Sequence, residues 1–334
     1  MRILVTGTAG FIGFHLASRL LTDGHQVTGV DGLTDYYDVD LKRARRALLL
    51  GRPGYVDHEI MLEDADSFAA AADAARPQVI VHLAAQAGVR YSLENPRAYL
   101  DSNLVGAFNV MEAARRHAVS HFVFASTSSV YGLAETTPFV ETQPADHPLT
   151  FYAATKKAGE AMTHAYSHAW GLPTTVARFF TVYGPWGRPD MALGKFVDGI
   201  LAGETIDLFN EGDMERDFTY VDDLVEGLTR LMAVVPERGR PASPIDSLSP
   251  DAPWRIVNIG RGAPVRLMDF VAAIEAALGR TATINLAPMQ LGDPPTTFAS
   301  AELLETLTGY RPDTPLAEGV AAFCKWRLSY YGLN

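Results

Sequence analysis

The feature that most constrains the fold is a glycine-spaced turn near the start of the chain. Gly7 and Gly10 lie between a predicted strand at residues 2–6 and a predicted helix at residues 11–23, and Gly13 lies within the start of that helix. The first glycine permits a tight turn, the second lets the backbone approach a ligand, and the third lets the helix pack close to the strand. Because a helix N-terminus offers unpaired N–H groups and a partial positive charge, this strand-turn-helix unit predicts a pyrophosphate site.

Short β-rich segments alternate with longer helical segments in the first half of the chain, and the later chain is more mixed. Further strands are predicted over residues 26–30, 78–83, 121–125, 174–179 and 255–259, and further helices over residues 41–50, 97–117, 151–170 and 221–232. This alternation predicts an α/β fold with a Rossmann-type, doubly wound parallel sheet. We expect a Rossmann domain from residues 1–180 plus about 218–262, and a smaller α/β substrate-binding domain from about 181–217 plus 263–334.

The second predicted strand leads directly into Asp31. A carboxylate at this place accepts hydrogen bonds from both ribose hydroxyls of a dinucleotide and repels a 2′-phosphate, which favours NAD over NADP. The cofactor contacts predicted in this part of the chain are Gly7, Gly10, Phe11, Ile12, Gly13, Asp31 and Lys42. Apart from that contact, a solvated helix face is expected for the basic patch of Lys42, Arg43, Arg45 and Arg46.

Composition argues against several classes of function. The 334-residue chain carries a formal net charge of -11, and a net negative surface opposes the binding of nucleic acid. Its one cysteine, Cys324, permits no intramolecular disulfide and no thiolate zinc cluster, so a reducing, cytoplasmic setting is expected. No segment approaches the roughly 18 uninterrupted apolar residues of a membrane helix, so no membrane span is predicted.

A Tyr–Lys pair and a hydroxyl-rich strand end form a second constellation. Tyr152 and Lys156 lie four residues apart in a predicted helix and therefore share a face. A nearby ammonium and a positive nicotinamide ring stabilise a phenolate, which makes Tyr152 a candidate general base. Thr127 follows a buried strand at the carboxyl edge of the sheet, where such folds bind ligands, and is expected to share a hydrogen bond with the reacting hydroxyl.

The glycine spacing, the Tyr–Lys pair and the strand ends resemble the extended short-chain dehydrogenase/reductases, the NAD-dependent epimerase/dehydratase family, over nearly the whole chain. The resemblance implies a catalytic triad of Thr127, Tyr152 and Lys156. It also implies a homodimer that pairs through the helices at residues 97–117 and 151–170. The implied cofactor contacts, besides Tyr152 and Lys156, are Leu83, Ala84, Ala85, Gln86 and Asn103.

Residues 86–92, 179–192 and 216–223 resemble UDP-glucuronate 4-epimerases in particular. The resemblance implies a UDP-sugar substrate, with UDP-glucuronate and UDP-galacturonate interconverted through a 4-keto intermediate with bound NAD+. It implies that Arg216 meets the diphosphate. Hydroxyl donors and one guanidinium suit a carboxylate, and the side chains implied to receive that of the hexuronate are Ser128, Ser129, Thr181 and Arg188. The other implied substrate contacts are Arg90, Lys195 and Asp293.

The chain departs from its relatives at Gly32, Met61 and Gln290. Relatives often carry Asn after the strand-end Asp and Asp near the adenine, and galactose epimerases have a phosphate-binding Arg in place of Gln290. These departures predict weaker binding of NAD or UDP, with the chemistry unchanged.

Other functions are compatible with the same sequence. A neutral UDP-hexose 4-epimerase, acting on UDP-glucose and UDP-galactose, would not need Arg188. A sugar 4,6-dehydratase or a UDP-glucuronate decarboxylase carries acidic residues near the places that Ser128 and Ser129 hold here. A non-catalytic NAD-binding scaffold often loses the Tyr or the Lys. His164 and His168 resemble a metal-binding pair, but no third ligand is evident and no metal is predicted.

Overall fold

The computed structural model describes residues 1–134, 136–289 and 294–333. The strands within them are β1 (Arg2–Thr6), β2 (Gln26–Asp31), β3 (Tyr55–Glu59), β4 (Val79–His82), β5 (His121–Thr127), β6 (Thr174–Phe179), β7 (Thr181–Tyr183), β8 (Thr205–Phe209), β9 (Glu215–Tyr220), β10 (Trp254–Ile259), β11 (Pro264–Arg266), β12 (Thr283–Ala287) and β13 (Thr296–Thr297). The α-helices within them are α1 (Phe11–Thr22), α2 (Val39–Leu50), α3 (Ala65–Ala75), α4 (Tyr91–Glu94), α5 (Pro96–Tyr99), α6 (Ala107–Arg116), α7 (Phe151–Trp170), α8 (Ala192–Ala202), α9 (Val221–Met232), α10 (Leu267–Leu278), α11 (Glu302–Thr308) and α12 (Leu316–Tyr331).

The main sheet has the strand order β10-β6-β5-β4-β1-β2-β3, and all its pairs are parallel. The chain runs outward from β1 to β3, returns to β4, and then runs outward in the other direction. A doubly wound sheet of this kind opens a crevice where the order reverses, above the carboxyl ends of β1 and β4. The parallel α/β fold predicted from the sequence is confirmed.

Helices cover both faces of this sheet, which explains the long apolar runs of its strands. One buried cluster joins α1 and α9 to the sheet and includes Leu20 and Leu228. A second cluster joins α3 and α6 to the opposite face and includes Phe68 and Phe122. Every residue of β5 is buried. The sheet therefore gives the carboxyl ends of its strands a rigid base.

A smaller lobe lies beyond β6 and β7. Its β9 pairs with β7 and β13 in parallel and with β11 antiparallel, while β8 pairs with β12 in parallel. Its core is aromatic, and the rings of Phe218 and Phe270 stack with their centres 4.0 Å apart. Together with the main sheet, this lobe encloses the crevice.

The helix predicted over residues 97–117 is interrupted in the structure. Leu100–Gly106 is wound with the wider π-helical spacing between α5 and α6. The prediction also missed β3 and α3. Three of the five residues of β3 are polar and the strand is at most partly buried, so its apolar pattern is weak. Within the part of the chain that the structure describes, no helix is both long and apolar enough to cross a membrane.

Candidate active site

A cleft of about 1070 Å³ lies between the carboxyl ends of the sheet strands and the smaller lobe. It brings together residues that lie far apart in the sequence. The predicted site residues that line it are Gly7, Gly10, Phe11, Ile12, Gly13, Asp31, Lys42, Leu83, Ala84, Ala85, Gln86, Arg90, Thr127, Ser128, Ser129, Tyr152, Lys156, Thr181, Arg188, Lys195 and Arg216.

The three glycine positions of the loop have no room for a side chain. Gly7 has a φ of +81°, and its N–H donates to the carbonyl of Val30 at 2.7 Å. A Cβ on Gly13 would lie 2.0 Å from the carbonyl oxygen of Gly7, and one on Gly10 would lie 2.9 Å from the same atom. The first turn of α1 has no capping side chain and no acidic residue. Its N–H groups are therefore suited to an anion in the cleft.

Asp31 is fixed at the end of β2 by the backbone. Its two carboxylate oxygens accept hydrogen bonds from the N–H groups of Ala9, at 3.0 Å, and Leu33, at 2.9 Å. Burial raises the pKa of Asp31, although both hydrogen bonds and the charge of Lys42 act in the opposite direction. Lys42 donates to the carbonyl and hydroxyl of Thr34 at 2.5 and 3.1 Å. Both side chains therefore lie at the cleft in fixed positions.

Asn103 is the one described residue of the predicted set that does not line the cleft. Its amide oxygen accepts from the N–H of Gln86 at 2.8 Å. Its amide nitrogen donates to the carbonyl of Gln86 at 3.1 Å and to the hydroxyl of Thr155 at 3.0 Å. Because these bonds use the amide inside the protein, Asn103 ties the segment after β4 to α7, and the direct cofactor contact implied by resemblance finds no support.

Tyr152 lies in the first turn of α7, which Thr150 caps by accepting from the N–H of Ala153 at 3.3 Å. Burial raises the pKa of Tyr152, while a hydrogen bond with Thr127 and the charge of Arg188 act to lower it. Thr127 and Tyr152 therefore lie within hydrogen-bonding reach of each other at the cleft.

Lys156 lies one helical turn further along α7 and is 4% exposed. Its Nζ is 4.7 Å from the centre of the Phe124 ring. Burial lowers the pKa of Lys156 to about 8, and the charge of Glu160 acts to raise it. The lysine is therefore largely removed from water, and it gives up its proton more readily than a surface lysine does.

The hydroxyl cluster follows directly from β5. Thr127 caps a short 3-10 turn, Ser128–Tyr131, by accepting from the N–H of Ser129 at 3.2 Å. This turn presents Ser128 and Ser129 to the cleft, which Thr181 also lines. Several hydroxyl groups therefore face the space next to Tyr152.

Arg188 has a partner that sequence reasoning missed. Its guanidinium forms a bidentate ion pair with Asp190, with distances of 3.0 and 2.5 Å, and both side chains are largely buried. Burial opposes the charge of Arg188, but the hydrogen bonds to Asp190 raise its pKa. The pair holds the guanidinium in a fixed orientation near Tyr152 and carries no net charge.

Tyrosines form the wall beside this ion pair. The hydroxyl of Tyr36 donates to Asp190 at 3.1 Å, and the ring of Tyr36 packs against Tyr91 with the ring centres 4.7 Å apart. Tyr99 lies between Tyr91 and Tyr152, with ring centres 6.2 and 6.0 Å away. In the sequence, this wall is indicated only by the polar and aromatic residues that follow Asp31. Their pattern by itself predicts a loop and not a wall of the cleft.

Two departures from the family pattern lie against each other. A Cβ on Gly32 would lie 2.1 Å from the sulfur of Met61. Both residues line the cleft near Asp31. Met61 therefore fills the space that the missing side chain at position 32 leaves open, and the two departures form a matched pair.

The remaining substrate candidates lie on the smaller-lobe side of the cleft or face it. The guanidinium of Arg90 lies 4.8 Å from the centre of the Phe209 ring. Arg216 donates to the carbonyl of Pro295 at 2.9 Å. Lys195 lines the cleft from α8. Asp293 and the departure at Gln290 lie outside the described residues.

The expectation that the basic residues of α2 form a solvated face is wrong for two of the four. Arg45 is fully buried and Lys42 is 5% exposed. Arg46 pairs with Asp57 at 2.8 Å, and only Arg43 has a largely exposed side chain. The helical period alone does not show that loops of the smaller lobe cover this face.

The histidine pair on α7 bonds within the protein. His164 contacts the hydroxyl of Ser249 at 2.9 Å, and Nδ1 of His168 contacts the carbonyl of Asp251 at 3.1 Å. Among the described residues, no cluster of three or more His, Cys, Asp or Glu side chains is arranged to hold a metal ion.

Comparison with known proteins agrees with the geometry. Residues 3–242 match the model of the NAD dependent epimerase/dehydratase family. The chain is 57% identical to a probable UDP-glucuronate 4-epimerase of Rhizobium meliloti strain 1021, over 98% of this chain and 96% of that protein. It is 44% identical to UDP-glucuronate 4-epimerase 1 of Arabidopsis thaliana, over 99% of this chain and 78% of that protein.

The fold has a matching experimental structure. The crystal structure of a UDP-glucuronic acid 4-epimerase from Bacillus cereus, in complex with UDP-glucuronic acid and NAD, superposes with a TM-score of 0.88 at 30% identity, over 99% of this chain and 100% of that one. The predictions of fold, family and NAD as cofactor are confirmed. This chain therefore belongs to the NAD dependent epimerase/dehydratase family.

Proposed function

We propose that this protein is a UDP-glucuronate 4-epimerase, which interconverts UDP-glucuronate and UDP-galacturonate through a 4-keto intermediate with bound NAD+. The observation that carries the proposal is the convergence of two groups of side chains in one cleft. Tyr152 with Thr127 offers proton transfer, while the hydroxyls of Ser128 and Ser129 and the guanidinium of Arg188 offer a site for a carboxylate.

The residues at the main sheet fit NAD. The tightly packed glycine positions of the loop and the uncapped start of α1 suit a pyrophosphate. Asp31 stands at the end of β2, where a ribose of the dinucleotide would lie. When bound, NAD supplies reversible oxidation of the sugar at C4.

The chain's own residues move and hold the proton. Tyr152 takes the proton of the C4 hydroxyl, and Thr127 shares a hydrogen bond with the reacting oxygen. Lys156, on the same helix face, supplies positive charge that favours the phenolate. After the 4-keto sugar has rotated and presents the other face of C4 for reduction, Tyr152 returns the proton to the C4 oxygen. Because C4 is first oxidised and then reduced within one turnover, no external oxidant is consumed.

The hexuronate carboxylate is placed against Ser128, Ser129, Thr181 and Arg188. Charge-assisted hydrogen bonds of this kind are directional and strong. They also hold the carboxylate out of alignment with the C4 carbonyl, which suppresses loss of CO2 from the β-keto acid. Arg216 is assigned to the diphosphate, with Arg90 and Lys195 as further substrate contacts.

A homodimer is part of the proposal. The π-helical segment and α6 expose Leu100, Val105 and Phe108, and α7 exposes Phe151 at its start. Adjacent apolar side chains on neighbouring helices support an isologous helix contact between two copies. Light scattering at micromolar concentration should give twice 36.3 kDa, the mass of one chain; a particle of single-chain mass would contradict the dimer.

We further propose a division into two domains and a cytoplasmic location. Strands β1 to β6 and β10 lie within residues 1–180 and 218–262, and α9 packs on α1 within the same core. Apart from Phe218 and Tyr220 of β9, the core of the smaller lobe draws on residues 183–208 and 265–326, which supports the second unit. The buried single thiol of Cys324 suits a reducing cytoplasm.

One observation favours a second candidate, a neutral UDP-hexose 4-epimerase. Asp190 already neutralises Arg188, so an uncharged sugar meets no net positive charge there. NMR of the products formed from UDP-glucuronate, UDP-glucose and UDP-galactose separates the candidates. We expect UDP-galacturonate as the main product from UDP-glucuronate. Turnover of the neutral sugars alone, or release of CO2, would overturn the proposed function.

A further inference from the structure

The turn that carries Arg188 is held by side chains from the opposite wall of the cleft. Nε2 of His15, on α1, lies 2.9 Å from the carbonyl oxygen of Pro185. Arg45, on α2, donates from Nε and Nη2 to the carbonyl of Trp186 at 3.1 and 2.6 Å. Helix α1 begins at the glycine loop, and Arg45 in the middle of α2 bonds to the same loop at Ala9. The backbone just before Arg188 is therefore fixed by the cofactor side of the cleft and not by the smaller lobe alone.

Arg45 is the more constrained of these two side chains because it is fully buried. Its Nη1 donates to the carbonyl of Ala9, in the glycine loop, and to the hydroxyl of Tyr37, both at 2.9 Å. A buried guanidinium is costly unless its donors are satisfied. Here the acceptors come from the glycine loop, the loop after β2 and the turn at Trp186, so the charge links three segments.

Tyr37 gives Arg45 a second route to Arg188. The Arg45 guanidinium holds the Tyr37 hydroxyl, and the Arg188 guanidinium lies 5.9 Å from the centre of the Tyr37 ring. Trp186 also adopts a φ of +61°, which a side-chain-bearing residue adopts only when its surroundings impose it. The bonds from Arg45 to the Trp186 carbonyl are among those surroundings.

We propose that Arg45 is a positioning residue that fixes Arg188 relative to the cofactor loop and thereby sets the preference for a uronate substrate. This inference rests on the proposed function, because it assigns the sugar carboxylate to Arg188. Arg45 acts through the turn and through Tyr37. A recognition group that is displaced by even about 1 Å loses most of its directional contact, so removal of the Arg45 guanidinium weakens carboxylate binding while Arg188 is still present.

The test is a double-mutant cycle on substrate binding, measured by calorimetry on the NAD-loaded protein. The readout is the ratio of the Kd for UDP to the Kd for UDP-glucuronate, which isolates the contacts of the sugar from those of the nucleotide. Arg45→Met keeps an apolar stem and removes the guanidinium. Arg43→Met is the matched control, because Arg43 lies on the same helix with its side chain 67% exposed.

We expect Arg45→Met to lower this ratio by about tenfold and Arg43→Met to leave it unchanged. In a protein that already carries Arg188→Ala, Arg45→Met should cause no further loss. A merely structural loss would add to the effect of Arg188→Ala. If Arg45→Met does not fold, His15→Phe takes its place, because it removes the bond to Pro185 and keeps the ring contacts of His15 with Phe11 and Phe14.

Two outcomes would overturn the inference, and only one of them also contradicts the assignment of the carboxylate to Arg188. If Arg188→Ala lowers the ratio while the Arg45 or His15 variant leaves it unchanged or acts additively, the positioning role is wrong and the proposed function stands. If Arg188→Ala itself leaves the ratio unchanged, the carboxylate assignment fails, and the role of Arg45 fails with it.

Discussion

Arg178 on β6 and Glu160 on α7 form a bidentate ion pair in the protein interior, with hydrogen bonds of 2.8 and 2.7 Å. Glu160 also accepts from the hydroxyl of Ser126 at 2.6 Å. Burial acts to raise the pKa of Glu160, but the hydrogen bonds from Arg178 hold it below its usual value. Since Glu160 lies one turn beyond Lys156, this pair anchors the helix that carries the Tyr–Lys pair to β5 and β6.

Glu160→Gln should destabilise the protein by about 3–5 kcal/mol, because it leaves the Arg178 charge buried without a counter-ion. Urea unfolding followed by circular dichroism measures the change. The control is Glu237→Gln, which breaks the exposed pair with Arg240 and should cost less than about 1 kcal/mol. Equal losses of stability in the two variants would show that the buried ion pair contributes no more than the exposed one.

Tyr152→Phe should lower kcat by at least about 10²-fold, because it removes the proposed general base and leaves the ring in place. Steady-state rates on UDP-glucuronate, with folding checked by circular dichroism, provide the measurement. Tyr166→Phe is the control: Tyr166 lies on the same helix and bonds to Glu112 at 2.7 Å, away from the cleft. A folded Tyr152→Phe protein with near wild-type turnover would refute the assignment.

Arg188→Ala should lower kcat/KM for UDP-glucuronate by roughly 10- to 150-fold, which corresponds to the loss of about 1.5–3 kcal/mol from a charge-assisted contact. Any turnover of UDP-glucose should change far less, since that sugar has no carboxylate. Initial rates on the two substrates give the comparison. Weakened UDP affinity with an unchanged preference for the uronate would instead place Arg188 at the nucleotide.

NAD+ should bind at least about tenfold more tightly than NADP+, because the carboxylate of Asp31 faces the position of a 2′-phosphate. Calorimetric titration of both cofactors measures the difference, and Asp31→Asn should narrow it. Equal or tighter binding of NADP+ by the wild-type protein would show that Asp31 does not face the adenosine ribose.

Acid should destabilise the fold through His121. Burial lowers the pKa of His121 to about 4, against 6.5 in the unfolded chain, although its bond to the Met232 carbonyl acts to raise it. Between these pH values the unfolded chain binds a proton that the folded protein does not, so this stabilising contribution is complete at neutral pH and is lost as the pH falls. At pH 5 the loss is about 2 kcal/mol.

His121→Asn isolates this contribution. The free energy of unfolding in urea is measured at pH 7.5 and at pH 5 for the wild type and the variant. The decrease between the two pH values should be about 2 kcal/mol smaller in the variant than in the wild type. The exposed His147→Asn serves as control and should follow the wild type. An unchanged pH dependence in His121→Asn would contradict the prediction.

The sequence predicts the fold and the cofactor best where the interactions are local. The glycine spacing, the strand end at Asp31 and the four-residue step from Tyr152 to Lys156 each depend on neighbours within one element or one turn. Helical and strand periods then decide which side chains share a face. The parallel sheet follows as well, because alternating βα units leave few other arrangements.

Only the tertiary structure shows the pairs that connect distant segments. Met61 fills the space beside Gly32, Asp190 and Tyr36 hold Arg188, and Arg45 is covered although its helix has a basic, polar pattern. Such contacts depend on how loops close over the sheet, and a single sequence carries no periodic signal for that. The sequence by itself determined the chemistry that is available and the fold that presents it. The tertiary structure decided which charges are neutralised, buried or aimed at a ligand, because burial and pairing depend on side chains brought together from distant parts of the chain.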